Sequence, residues 1–140
     1  MRWQQTITSA SGVSCGLLQA TMCHSVSDLD ECIRFTNIPG GFAQYRAQIP
    51  LPDIWPMAVL NDIEIQHDYR RSGLGRAALH TFFRDASRRE AKLAFLRVGW
   101  SGDDPDAERA WRIEWYRREG FAELCNTAPH LTVPFMYRPL

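Results

Sequence analysis

A group of glycines and arginines between a predicted strand and a predicted helix has the composition of an anion-binding loop. The group consists of Arg70, Arg71, Ser72, Gly73, Gly75 and Arg76. A helix N-terminus offers unpaired backbone N–H groups and the positive end of the helix dipole, and arginine side chains pair with phosphate oxygens. Glycine lets a ligand approach the backbone closely. The segment therefore predicts a pyrophosphate site.

Two motifs of the chain resemble those of the GNAT superfamily of N-acetyltransferases. The spacing Arg70-x-x-Gly73-x-Gly75 resembles the family's cofactor-binding signature, Gln/Arg-x-x-Gly-x-Gly/Ala, at the family's strand-to-helix junction. Downstream, Tyr116-Arg-Arg-Glu-Gly-Phe121 resembles the Tyr-x-x-x-Gly-Phe that ends the family's fourth helix. The resemblance covers residues 57–140, and the earlier residues have no counterpart in it.

This resemblance implies both a fold and a reaction. The fold is of the α/β (α+β) type, with a mixed, mostly antiparallel sheet that is flanked by helices and whose splayed central strands hold acyl-CoA. In the reaction, a primary amine of a small molecule or a protein attacks the thioester of acetyl-CoA directly, without a covalent enzyme intermediate. The residues that the resemblance assigns to cofactor binding are Ile63, Ile65, Gln66, Arg70, Arg71, Ser72, Gly73, Leu74, Gly75 and Arg76.

The resemblance also assigns a catalytic role to Tyr116. This residue matches the family tyrosine that protonates the departing CoA thiolate, and an unperturbed phenol has a pKa of about 10, above that of a thiol. The same predicted helix carries Trp111 and Trp115 one turn apart. The alternative is therefore that Tyr116 only fills space in the core.

No carboxylate occupies the family's positions for a general base. The strand position where some members carry glutamate holds Val59, and another position that members use holds Asn61. Asp62 and Glu64 are close in sequence, but strict alternation points them to the opposite face of the strand unless it contains a bulge. The sequence therefore leaves the general base open.

Other departures keep alternative functions open. Arg109 and Arg112 stand where many members have asparagine and alanine. A catalytically silent acyl-CoA sensor or a protein-interaction module of the same fold therefore remains an alternative. The segment Gly73–Ala78 also fits the dinucleotide fingerprint GxGxxA, but the glycines lie too far beyond the strand for that fold. An acyltransferase that acts on charged tRNA is disfavoured by the zero net charge.

The predicted elements place the loop at a strand-to-helix junction. Strands are predicted at 2–8, 13–22, 42–49, 57–65, 92–98, 121–125 and 131–138, and helices at 27–35, 74–90 and 105–119. Within the strand 57–65, alternation places Val59, Ile63 and Ile65 on one face with Asn61. Ser27 and Asp104 are the predicted N-caps of the first and last helices. Gly120 has the position of a left-handed residue after the last helix, with Phe121 folding back on it.

Composition limits the class of protein and its partners. The chain has 140 residues, of which 45% are hydrophobic, with 16 basic and 16 acidic side chains, so one domain with no nucleic-acid partner is expected. The sequence contains no secretory signal pattern and no apolar run of about 20 residues, which predicts a cytoplasmic protein without a membrane partner. The four cysteines lack metal-ligand spacing, so reduced thiols and no metal are expected. The first 56 residues hardly accommodate the family's usual first strand and helix pair, so a homodimer is expected to supply the missing cover.

Overall fold

The computed structural model describes residues 1–33, 35, 40–99, 105–125 and 134–140. Its strands are β1 (Arg2–Thr8), β2 (Ser14–Cys23), β3 (Met57–Ile65), β4 (Leu93–Arg97), β5 (Ala122–Leu124) and β6 (Phe135–Pro139). Its helices are α1 (Val26–Ile33), α2 (Ala43–Arg46), α3 (Leu74–Arg88) and α4 (Pro105–Arg118). The 3-10 turn His67–Tyr69 lies between β3 and α3.

The six strands form one sheet in the order β1-β2-β3-β4-β6-β5. Only β3 and β4 pair in parallel, and every other neighbouring pair is antiparallel. This arrangement confirms the predicted mixed, mostly antiparallel sheet with helices around it. The part of the last predicted strand before residue 134, and the predicted cap Asp104, lie outside the described residues.

Each face of the sheet carries its own apolar core. On one face, α3 buries Leu79 and Phe82 together with Leu60 of β3 and Tyr116 of α4. The helix predicted at 74–90 is therefore confirmed as α3, and it packs on the sheet through side chains at helical spacing. On the other face, α1 and the segment around α2 pack over Val59. We call these the α3 face and the α1 face.

The strand predicted at Phe42–Ile49 is wrong. This segment contains the short helix α2 followed by turns, and its buried side chains are Phe42, Tyr45 and Ile49. Those intervals of three and four residues fit helical geometry and do not alternate as a strand requires. Tyr45 packs against Phe35 and Phe135 with ring centroids 5.8 and 4.9 Å apart, so tertiary contacts among aromatic rings stabilise the turn.

The predicted N-cap of the first helix is also wrong by two residues. The helix begins at Val26, and the Ser25 hydroxyl oxygen accepts a hydrogen bond from the Asp28 backbone N–H at 3.2 Å. The Asp28 carboxylate in turn accepts from the His24 N–H at 2.9 Å. Ser25 therefore caps the helix in place of Ser27.

A β-bulge in β3 overturns the predicted common face of Val59 and Ile63. Gln19 of β2 faces Asp62 and Ala20 faces Leu60, so Asn61 is an extra residue between two paired positions. Val59 consequently belongs to the α1-face core, whereas Ile63 packs against the α3-face core. Asn61 instead accepts a hydrogen bond from the Thr21 hydroxyl at 2.6 Å.

The parallel pairing of β3 with β4 ends at the same place. The last paired residues are Leu60 and Leu96, although β3 continues to Ile65. Beyond this point the described part of β3 pairs only with β2. Among the described residues, the β4-side edge of β3 is therefore unpaired beyond Leu60, and we call the space along this edge the slot.

Gly16 provides a test of the contact that positions the end of β3. A Cβ at this position would collide with the Glu64 carbonyl oxygen and lie 3.2 Å from the Ile65 Cα. We expect Gly16→Ala to lower the free energy of unfolding by about 1–3 kcal/mol, because both neighbours are backbone atoms. Urea denaturation measures this change. Gln19→Ala, at an exposed position of the same strand, should change it by less than about 0.5 kcal/mol. Equal stability of Gly16→Ala and wild type would contradict the close approach.

Candidate functional site

The loop between β3 and α3 presents backbone N–H groups at a helix N-terminus. Gly73, the N-cap, has a φ of 82°, a left-handed conformation that glycine adopts without strain. The first hydrogen bond of the helix runs from the Ala77 N–H to the Gly73 carbonyl at 3.1 Å. The N–H groups of residues 74–76 thus have no carbonyl partner within α3. Leu74, Gly75 and Arg76 therefore supply the backbone donors that the sequence predicts.

The three arginines of this loop have different environments. Arg70 donates from Nε to the Ile65 carbonyl at 3.0 Å, and Arg76 Nε lies 3.1 Å from Oε1 of Glu119. Arg71 has a φ of 63° and no ion pair or hydrogen bond to a described residue. Arg71 is thus the guanidinium that is available without breaking a contact, while Arg70 holds the loop against the end of β3.

Two further predicted residues of the loop have backbone or hydroxyl contacts. The Ser72 hydroxyl donates to the Tyr69 carbonyl. The Gln66 N–H donates to the Cys15 carbonyl at 2.8 Å, and the Gln66 carbonyl accepts from the Tyr69 N–H at 2.9 Å. Only the exposed side chain of Gln66 is therefore free for a ligand, whereas its backbone closes the turn.

The backbone groups of Ile63 and Ile65 face the open slot. Alternate residues of an antiparallel strand direct their backbone groups to the same neighbour. Since Gln66 bonds to Cys15 of β2, Asp62 and Glu64 also bond toward β2, opposite Gln19 and Leu17. The backbone groups of Ile63 and Ile65 therefore point away from β2. The Arg70 contact with the Ile65 carbonyl agrees with this orientation.

Gly75 lies where β3, α3 and α4 converge. A Cβ at Gly75 would lie 3.2 Å from Cδ1 of Ile65 and 3.5 Å from Cζ2 of Trp115. A Cβ at Gly73 would meet nothing within 4 Å, so the space around the N-cap is open to a ligand. Both glycines thus fit a site at which a phosphate approaches the backbone.

Glu119, which belongs to neither sequence motif as a specified residue, connects α3 to the end of α4. Its carboxylate contacts Arg76 at 3.1 Å and Nε2 of His80 at 2.8 Å, and its side chain is only 10% exposed. Arg76 and His80 are four residues apart, so they lie on one side of α3. In the sequence, this contact is indicated by two basic residues four apart in one predicted helix and by a glutamate at the end of the next predicted helix.

Tyr116 is buried on the α3 face, between Trp115 and Phe121. The ring centroids lie 5.0 and 5.5 Å away, both in edge-on arrangements. The side chain is 8% exposed, and its hydroxyl makes no hydrogen bond to a described residue. Burial raises the pKa of Tyr116 to about 12, while the positive charge of Arg112 lowers it and the negative charge of Asp62 raises it. The phenol is therefore fully protonated at neutral pH.

The predicted helix end at Gly120 is confirmed, and it holds Tyr116 in place. Gly120 has a φ of 95°. The Phe121 N–H donates to the Tyr116 carbonyl at 3.1 Å, and the Gly120 N–H donates to the Arg117 carbonyl at 3.1 Å. These are the two hydrogen bonds of a Schellman motif.

The bulge gives Asp62 a position that alternation does not predict. Asp62 follows the extra residue Asn61 directly, is exposed, and lies near enough to Tyr116 to raise its pKa. Val59, at the family's glutamate position, is 1% exposed and packs in the α1-face core. Asp62 is thus a carboxylate close to the slot, whereas Val59 cannot move a proton.

No protein-family model matches the sequence, and no curated protein matches it. Solved structures do match its fold. A proposed acyl-CoA N-acyltransferase from Klebsiella pneumoniae aligns with a TM-score of 0.62 at 18% identity, over 99% of this chain and 72% of the other. The ribosomal-protein-S18-alanine N-acetyltransferase from Escherichia coli aligns with a TM-score of 0.59 at 20% identity, over 99% and 68%.

A third match names the superfamily. An acetyltransferase of the GNAT family from Staphylococcus aureus aligns with a TM-score of 0.55 at 15% identity, over 99% of this chain and 68% of the other. The chain has the GNAT acetyltransferase fold. The resemblance found in the two sequence motifs is confirmed at the level of structure, and the alignments include the first 56 residues, which the motifs leave out.

The described residues contain neither a membrane-spanning helix nor a cluster of metal ligands. Among the described residues, no helix is both long and apolar enough to span a bilayer. Within the same part of the chain, no three His, Cys, Asp or Glu side chains come together as a metal site.

The raised pKa of Tyr116 predicts a loss of stability at alkaline pH. A phenol titrates near pH 10 in the unfolded chain and near pH 12 in the folded protein. The unfolded state therefore loses its proton first, so the stabilisation is complete below pH 10 and declines as pH rises toward 12.

At pH 11 this loss should reach about 1 kcal/mol relative to pH 8. Tyr116→Phe, which cannot titrate, should lack that part of the decline in urea denaturation at the two pH values. Identical pH dependence in the variant and the wild type would contradict the assigned pKa.

Proposed function

We propose that the chain is an acetyl-CoA-dependent N-acetyltransferase that acetylates a primary amine. The observation that carries the proposal is the slot that opens beyond Leu60 and Leu96 beside the unpaired N-terminal N–H groups of α3. A GNAT fold, alignment with acetyltransferase structures and two motifs in the expected order support it. The proposed cosubstrate is acetyl-CoA, and no metal takes part in the proposed reaction.

In this proposal, the loop binds the pyrophosphate and the slot binds the pantetheine arm. The N–H groups of residues 74–76 and the free guanidinium of Arg71 face the phosphates. Ile63 and Ile65 offer backbone hydrogen bonds along the arm, as a pairing strand would. Arg70, Ser72, Gln66 and the open space at Gly73 shape the turn that makes this approach possible.

The proposed chemistry is direct transfer. The amine nitrogen bonds to the thioester carbonyl carbon, the carbon–sulfur bond breaks, and the amine releases one proton. Tyr116 donates its phenolic proton to the departing sulfur, and Asp62 is the nearby carboxylate that accepts the amine proton. A protonated phenol has the form that a proton donor requires.

A catalytically silent acyl-CoA-binding protein is the second candidate. The buried Val59 at the family's glutamate position favours it. Release of free CoA thiol in the presence of a suitable amine separates the two candidates, because both bind the cofactor. A cytoplasmic location stays a proposal, as does a homodimer, for which the edge strand β1 offers backbone groups.

We expect acetyl-CoA to raise the melting temperature and NADH to leave it unchanged. A ligand at about 100 times its Kd stabilises the folded state by ~2.7 kcal/mol, which corresponds to about 5 °C or more for a chain of this size. Equal shifts with both nucleotides would remove the CoA assignment.

Gly73→Asp and Gly73→Asn form the matched pair for this experiment. Both residues tolerate a left-handed backbone and both point into open space, so they differ mainly in charge. Gly73→Asp should abolish the shift through repulsion of phosphate, whereas Gly73→Asn should retain most of it. A full shift in Gly73→Asp would place the phosphates elsewhere.

Tyr116→Phe should lower turnover by about 10² to 10⁴ while leaving the affinity for acetyl-CoA nearly unchanged. The ring and its packing remain and only the proton is lost. Tyr137→Phe is the control, since Tyr137 is equally buried but lies on the α1 face. Turnover of Tyr116→Phe within twofold of wild type, measured as CoA release at saturating acetyl-CoA, would show that Tyr116 only packs.

A further inference from the structure

A cavity of about 250 Å³ lies on the α1 face at the point where the slot begins. It is lined by Cys32 and Ile33 of α1, by residues 59–61 of β3, and by Arg97 and Gly99 at the end of β4. Tyr116 and α3 belong to the core of the opposite face. The cavity therefore reaches the slot from the side opposite Tyr116.

Arg97 is the only charged side chain among the described residues that line this cavity. It follows Leu96 directly, so it lies one residue beyond the last β3–β4 pair. Alternation along β4 places it on the face of Leu93 and Phe95, which belong to the α1-face core. It makes no ion pair or hydrogen bond with any described residue, and its side chain is exposed.

An arginine with no counter-charge among the described residues, in a cavity whose other described lining residues are uncharged, favours an anionic ligand. The guanidinium presents five N–H donors in a planar fork that matches a carboxylate, and such charge-assisted pairs are stronger than neutral hydrogen bonds. Drug-sized ligands occupy about 300–1,000 Å³, and this cavity is smaller. Its size thus suits a molecule of the dimensions of an amino acid.

We propose that the amine acceptor is a small molecule that also carries a carboxylate, and that Arg97 binds this carboxylate while the amine points into the slot. This inference rests on the proposed transferase function, because the slot is where an amine meets the thioester. Asp62, on the far side of the bulge, favours the positively charged end of such a molecule. An amino acid or a close analogue has both charges.

A second cavity supplies the internal control. It measures about 380 Å³, shares Asn61 with the first, and is lined by Arg2, Trp3, Gln4, Gln19 and Ala20. Arg2 is another arginine without a described partner, but it lies on β1, two strands from the slot. A carboxylate bound at Arg2 would keep its amine far from the slot, so Arg2→Gln should have no effect on turnover.

The experiment compares L-amino acids with the corresponding amino acid amides, in which a neutral carboxamide replaces the α-carboxylate, as acceptors. The release of free CoA thiol is measured at saturating acetyl-CoA. At least one amino acid should have a kcat/KM about tenfold or more above that of its amide. For that pair, Arg97→Gln should raise KM for the amino acid about tenfold or more, with kcat within threefold, and leave the amide unchanged. Arg97→Lys should restore part of the difference, because it keeps the charge.

The failures of the two proposals are distinguishable. An acetyl-CoA melting shift that is intact in wild type and in Arg97→Gln, combined with equal use of amides and amino acids, overturns only the carboxylate assignment. Turnover of other amines but of no amino acid also overturns it, and so does an equal KM effect of Arg2→Gln. Absence of any acetyl-CoA shift in wild type overturns the transferase function and this inference with it.

Discussion

Between Leu60 and Asp62, β3 contains one residue more than the facing part of β2, and the pairing with β4 ends at Leu60. The extra residue reverses the alternation of side chains, so Ile63 and Ile65 join the core under α3. β2 still bonds to one edge of β3, and no described residue pairs with the other edge over the same stretch. The slot therefore begins at the same residue as the change in side-chain orientation.

The helices on the α3 face keep this slot next to the loop. Gly75 lies against the side chains of Ile65 and Trp115. A Cβ placed at Gly75 would lie 3.2 Å from Cδ1 of Ile65 and 3.5 Å from Cζ2 of Trp115. The Glu119 carboxylate contacts both Arg76 and His80 of α3, so the end of α4 is linked to the first two turns of α3. Displacement of α4 would therefore move Tyr116 and the first turn of α3 together.

Local chemistry made part of this arrangement predictable from the sequence. Gly120 has a positive φ, as its predicted position after the last helix requires, and the helix predicted at 74–90 is present as α3. The short helix α2 is not predictable locally, because residues 42–49 contain no glycine or proline that would mark a break in a strand. It is stabilised by contacts of Tyr45 with aromatic rings distant in the sequence. The sequence raises a bulge only as a condition on the faces of Asp62 and Glu64, because nothing in Asn61 itself signals an extra residue and the bulge is specified by pairing with β2. The binding loop was thus predictable in position, whereas the face on which Asp62 lies was not.

Arg112, which departs from the family pattern, affects the acidity of Tyr116. Burial raises the pKa of Tyr116 to about 12, which keeps the proton in place but makes the phenol a weaker acid. Arg112, one helical turn earlier, stands where many GNAT members have alanine, and its positive charge lowers the same pKa. Glu108 lies 3.2 Å from Arg112 and partly neutralises that charge. The acidity of Tyr116 therefore depends on a balance between burial and a charge that alanine would not supply.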